Sequence, residues 1–101
     1  MGMLKIVIHK RALQRMNSVA DWYLDNVGYA AASKFVRGIY STINTLAAYP
    51  SMGRVEQNLS TSRYTYYSFT VHPKYRIIYR YNDRKIDILA IYCNMMQSGG
   101  L

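Results

Sequence analysis

The spacing of apolar residues changes several times along this chain, and each change marks an element. Met3 to His9 is β-branched at its centre (Ile6, Val7, Ile8) and predicts a strand. From Lys10 to Asn26 the pattern turns helical. Leu13, Met16, Ala20, Tyr23, Leu24 and Val27 recur at i, i+3 and i+4 and are expected on the buried face. Arg11, Gln14, Arg15, Asp21 and Asp25 take the other face. Asn26-Val27-Gly28 ends this helix, with Gly28 suited to a left-handed cap. A second helix follows from about Tyr29 to Ala48, striped by Ala32, Phe35, Val36, Ile39, Ile43 and Leu46. Gly38 inside it costs roughly 1 kcal/mol relative to Ala, which predicts a close helix crossing there. Pro50 stops the helix by pushing Tyr49 out of the α region. So short a connection makes residues 10–49 an antiparallel helical hairpin.

Residues 51–62 are polar and turn-like. Three strands are predicted after them: Tyr64 to Val71, Tyr75 to Tyr81, and Lys85 to Cys93, broken by His72-Pro73-Lys74 and Asn82-Asp83-Arg84. The short turns make them an antiparallel meander. Strict alternation puts Tyr75, Ile77, Tyr79 and Tyr81 on one face of the middle strand and Arg76, Ile78 and Arg80 on the other. In the last strand it separates Ile86, Ile88, Ala90 and Tyr92 from Asp87, Leu89, Ile91 and Cys93. Neither face is cleanly polar. The fold class is therefore α+β, an N-terminal strand, a helical hairpin and a three-stranded meander, in a single domain over 1–101 whose tail, 94–101, frays.

Composition narrows the partners. Thirteen Lys and Arg stand against five Asp and Glu, a net charge of +8. Both halves are basic, 6 against 2 through Pro50 and 7 against 3 beyond it. Such a body attracts polyanions, whether nucleic acid, a ribosome or an acidic protein segment. No apolar run approaches the ~20 residues of a membrane span, and the N-terminal run is too short for a signal peptide. A cytoplasmic protein with no membrane partner is expected. Cys93, in an apolar run, reads as a small core residue.

Little conventional catalytic equipment is present. His9 and His72 stand alone, with no spacing that suits a metal, and neither a nucleophile elbow nor a Gly-rich phosphate loop occurs. No metal or cofactor is expected. What remains is arginine and tyrosine, of which there are 11. Both can hold RNA by stacking and phosphate contact, and both anchor protein interfaces.

Pro50-Ser51-Met52-Gly53-Arg54, then Arg63, Tyr75-Arg76-Ile77-Ile78-Tyr79-Arg80-Tyr81 and Ile86 to Cys93 give an order of motifs that resembles the RelE/ParE superfamily of bacterial toxins. The resemblance spans roughly residues 3–96 and implies the fold order read above. One branch consists of metal-independent ribosomal mRNA endonucleases. Of the groups that branch uses, the resemblance places only Arg76, which would be catalytic in an RNase; no lysine stands near Tyr67 or Phe69, and no arginine near Met95 or Met96. The ParE-like branch, which acts by poisoning DNA gyrase, matches better through Pro50, Gly53, Arg54, Arg63 and the Tyr79-Arg80 pair. This chain has Cys93-Asn94-Met95 where that branch often has a His-Gly-Arg-like end. The resemblance thus implies a type II toxin neutralised by a cognate antitoxin. An mRNA endonuclease or a non-toxic basic binding module are the alternatives. Arg54, Arg63, Arg76, Arg80, Ile78 and Leu89 are the expected partner-binding residues, with the arginines clustered and unpaired.

Overall fold

The computed structural model describes residues 3–71 and 74–93. His72, Met95, Met96 and the predicted frayed tail lie outside them. The elements run β1 (Lys5–Ile8), α1 (Lys10–Asn26), α2 (Tyr29–Ala48), a 3-10 turn (Pro50–Met52), β2 (Arg54–Val55), β3 (Tyr67–Val71), β4 (Tyr75–Tyr81) and β5 (Lys85–Cys93). They build a five-stranded sheet of order β1-β5-β4-β3-β2, in which β1 runs parallel to β5 and the other pairs are antiparallel. The helical hairpin is the crossover that lets β1 join β5 in parallel. The two-residue β2 was expected as loop. It forms because Arg54 and Val55 extend beside Ser68 and Tyr67.

The hairpin covers one face. Ala12, Met16 and Val19 of α1 and Phe35, Ile39, Ile43 and Leu46 of α2 meet Tyr75, Ile77 and Tyr79 of β4 and Ile86, Ile88, Ile91 and Cys93 of β5. Cys93 is buried as expected. The second helical stripe is confirmed apart from Val36, which is only half-buried. The first is rotated. Its buried residues are Ala12, Met16 and Val19, while Leu13, Leu24 and Val27 are exposed and Ala20 is half-buried. Two apolar stripes run along α1, and only one of them faces the sheet.

A bulge decides the faces of β5. Ile78 sits opposite Ala90 and Tyr79 opposite Ile88, so Leu89 is an extra residue without a partner on β4. Directly opposed residues share a face. Ile86 and Ile88 therefore point to the helices before the bulge, and Ile91 and Cys93 after it. Ala90 and Tyr92 move to the outer face with Asp87, against the expectation from strict alternation.

Of the two glycines singled out in the sequence, one meets expectation and one does not. Gly28 follows Val27, the C-cap of α1, with a positive φ of 137° and donates its N–H to the Tyr23 carbonyl, closing that helix as expected; with an extended ψ of 174° it is also the N-cap of α2. Gly38 makes no close crossing. A methyl group there would meet no atom within 4 Å, so its cost to the helix is uncompensated by packing.

Candidate functional site

Opposite the helices, the outer face carries arginines paired with Glu56 and Asp87. The register places Arg54, Ser68, Ile78 and Ala90 in one row across β2, β3, β4 and β5. A second row holds Thr70, Arg76 and Tyr92, and a third holds Arg80, Asp87 and Val7.

Glu56, just after β2, organises one end. Its carboxylate accepts a hydrogen bond from the Ser68 hydroxyl and lies 3.5 Å from the Arg54 guanidinium and 4.0 Å from that of Arg76. The Ser68 bond leads, and the charges of Arg76 and Arg54 add to it; together they outweigh burial and hold the Glu56 carboxyl below its ordinary range. The Arg76 guanidinium also lies 5.6 Å from the centre of the Tyr92 ring, within reach of a cation–π contact.

Asp87 organises the other end and is 5% exposed. Arg80 Nε approaches its Oδ2 at 3.3 Å, while His9 Nε2 and Lys85 Nζ lie 3.4 and 3.7 Å from Oδ1. Burial by itself would raise this carboxyl. The contacts with His9 and Arg80, and the Lys85 charge, outweigh it and hold the group low. Arg80 further lies 4.3 Å over the Tyr64 ring and donates to the Tyr66 hydroxyl at 3.4 Å. With Arg63, Tyr64 and Lys85 it lines a cleft of about 570 Å³.

The Pro50–Arg54 loop is tied to the sheet by one side chain from its inner face. The Tyr79 hydroxyl donates to the Pro50 carbonyl at 2.6 Å and accepts from the Gly53 N–H at 3.0 Å. A side chain at Gly53 would strike that hydroxyl and come within 2.7 Å of the Ser68 carbonyl oxygen. Proline that ends the helix, glycine that admits the tyrosine and arginine that opens β2 thus form one unit, which accounts physically for the spacing of Pro50, Gly53 and Arg54.

The predicted residues therefore fall into two groups rather than one unpaired cluster. Arg54 and Arg76 share Glu56, whereas Arg63 and Arg80 line the cleft beside Asp87. Ile78 is only 4% exposed and offers little contact surface, and Leu89 is the bulged residue. Sequence reasoning missed Glu56, Ser68 and the pairing of His9, which does not stand alone. Ser68 was traceable only through the hidden β2–β3 register. His9 showed one signal, a poor capping residue at a helix start, and it makes no side-chain cap.

Comparison with known proteins fits this geometry. The model of the ParE toxin of type II toxin–antitoxin systems, parDE, matches residues 6–97. The chain belongs to the ParE toxin family. A solved structure titled as a chromosomal ParDE toxin–antitoxin system from P. aeruginosa shares the fold, with a TM-score of 0.73 at 18% identity, covering 90% of this chain and 96% of that one. No curated protein matches the chain in sequence. Membership makes this a ParE toxin of a type II system and implies a cognate antitoxin. Among the described residues no helix is long and apolar enough to cross a membrane.

Proposed function

We propose that this ParE-family toxin acts in the cytoplasm by binding and poisoning a protein target such as DNA gyrase, and that its antitoxin neutralises it by covering the outer face of the sheet. The observation that carries the reading is the state of the arginines. Arg76, the one group that could serve an RNase, lies beside a carboxylate held ionised by Ser68. Cleavage by a 2′-hydroxyl needs proton transfer at two oxygens as well as charge stabilisation. Glu56 is occupied in holding Arg54 and Arg76 in place, an arrangement that suits recognition. Arg54, Arg63, Arg76 and Arg80, with the Tyr64 ring beside Arg80, would meet an acidic, amphipathic antitoxin segment.

Expression without antitoxin should arrest growth with a DNA-damage response before translation stops. Site-specific mRNA cleavage on translating ribosomes, abolished by Arg76→Ala, would replace this reading with the endonuclease. Normal growth despite tight antitoxin binding would leave a non-toxic binding module. Antitoxin affinity should also survive about 0.5 M salt, where the Debye length is ~4 Å, because apolar burial is not screened. Calorimetry that shows affinity collapsing over several decades, without a negative heat-capacity change, would mark the contact as electrostatic only.

A further inference from the structure

The outer side of the helical hairpin carries a surface that the antitoxin reading leaves unused. Ala20, Leu24, Tyr29, Ala32 and Val36 line a cleft of about 320 Å³ between α1 and α2, on the hairpin's side away from the sheet. Leu24 is 50% exposed and Tyr29 78% exposed. A cluster of large apolar side chains this open marks an interaction surface in a chain that otherwise buries its isoleucines well.

Charge identifies the occupant. Asp21 stands on the α1 wall of this cleft and Arg37 on the α2 wall. Among the described residues neither makes an ion pair within the chain. The stretch from Asn17 to Tyr29 holds Asp21 and Asp25 and neither Lys nor Arg, whereas the chain as a whole is +8. It is the place where a second basic copy is repelled least. The opening half of α2 carries Lys34 and Arg37. A two-fold axis through the cleft sets the acidic wall of one copy against the basic wall of the other, twice, over an apolar floor.

We infer that two copies of this chain pair through the outer groove of their helical hairpins into a four-helix layer, leaving each outer sheet face free. The inference does not depend on which target the toxin acts on. It makes the toxin bivalent, with two sheet faces turned away from a shared helical centre.

The test is sedimentation of the purified chain over a wide concentration range. A dimer is expected. Asp21→Arg and Arg37→Asp should each weaken the dimer about tenfold or more, and the double reversal should restore it, as for a directly coupled charge pair. Leu24→Glu should leave a folded monomer. The double reversal keeps the test decisive should that variant unfold. A monomer at every concentration would overturn the inference. So would a dimer indifferent to these changes, or hydrogen exchange showing the groove covered only when antitoxin is added.

Discussion

The two faces of this sheet draw on similar residues and hold them by different means. On the inner face Ile77, Tyr79, Ile86 and Ile88 have no exposed surface, and Tyr67 stacks on Tyr79 and meets Tyr81 at a tilt, with ring centres 5.5 and 5.1 Å away. Position there follows from volume. On the outer face the long side chains are placed by Glu56 and Asp87, each drawing on more than one cation. Position there follows from charge. The inner face is therefore sensitive to removed atoms and the outer face to removed protons or charges, and this division separates what specifies the fold from what presents the partner surface.

The largest effect should come from the inner face. Phe35 is 8% exposed, with its ring centre 4.9 Å from that of Tyr75. Phe35→Ala should cost about 3–5 kcal/mol in urea unfolding, enough to unfold many domains of this size. A loss under 1 kcal/mol would mean the inner face is not close-packed. Gly53→Ala comes next, because it sits where the faces are tied together. The added methyl has backbone on one side and the Tyr79 hydroxyl on the other, so a loss of about 1–3 kcal/mol is expected. It should also release β2 and so disturb the Glu56 site, which amide exchange at Arg54 and Val55 would reveal.

Titration should pull the two faces apart. The folded carboxyls of Glu56 and Asp87 lie below their unfolded values. Their contribution is thus present above about pH 4, the ordinary carboxylate value, and is lost as pH falls through the lowered folded values. Asp87→Asn should lower neutral-pH stability by about 1–2 kcal/mol, since Arg80 keeps some solvent, and should flatten the acid limb of the stability profile. Tyr79 behaves oppositely. Burial, opposed by the Gly53 hydrogen bond, pushes its hydroxyl up to about 12. That contribution is complete below about pH 10, the unfolded tyrosine value, and is lost as pH rises toward the folded one. An acid limb unchanged in Asp87→Asn would break the distinction.

What the sequence could reveal divides along the same line. The hairpin boundaries and the spans of β4 and β5 were readable, because periodicity reports burial against one large neighbour. Leu13 and Leu24 were misplaced because α1 carries two stripes at helical spacing, and periodicity does not say which faces the sheet. In β5 the apolar positions 86 and 88 followed by 91 and 93 change phase at Leu89, which is the trace of the bulge, yet an unbroken apolar run conceals it. The Arg54 to Glu56 neighbourhood was hidden for another reason. Its partners Ser68 and Arg76 arrive through the register of a two-residue strand, and no local pattern encodes that register.

The smallest predicted effect tests a position where neither volume nor charge sets the residue. Gly38 lies in the middle of α2, is exposed, and would meet nothing within 4 Å if it carried a methyl group. It also lines a cleft of about 400 Å³ with Tyr23, Lys34, Phe35 and Lys74. Glycine costs a helix about 0.8–1 kcal/mol relative to alanine, through the backbone freedom it loses on folding. With no packing to offset that cost, Gly38→Ala should raise stability by about 0.5–1 kcal/mol, the opposite sign to Gly53→Ala. Urea midpoints for the two variants, measured side by side at neutral pH, decide the matter. A destabilised Gly38→Ala would show that the methyl group meets a neighbour within the chain at this point, and that packing sets the glycine after all.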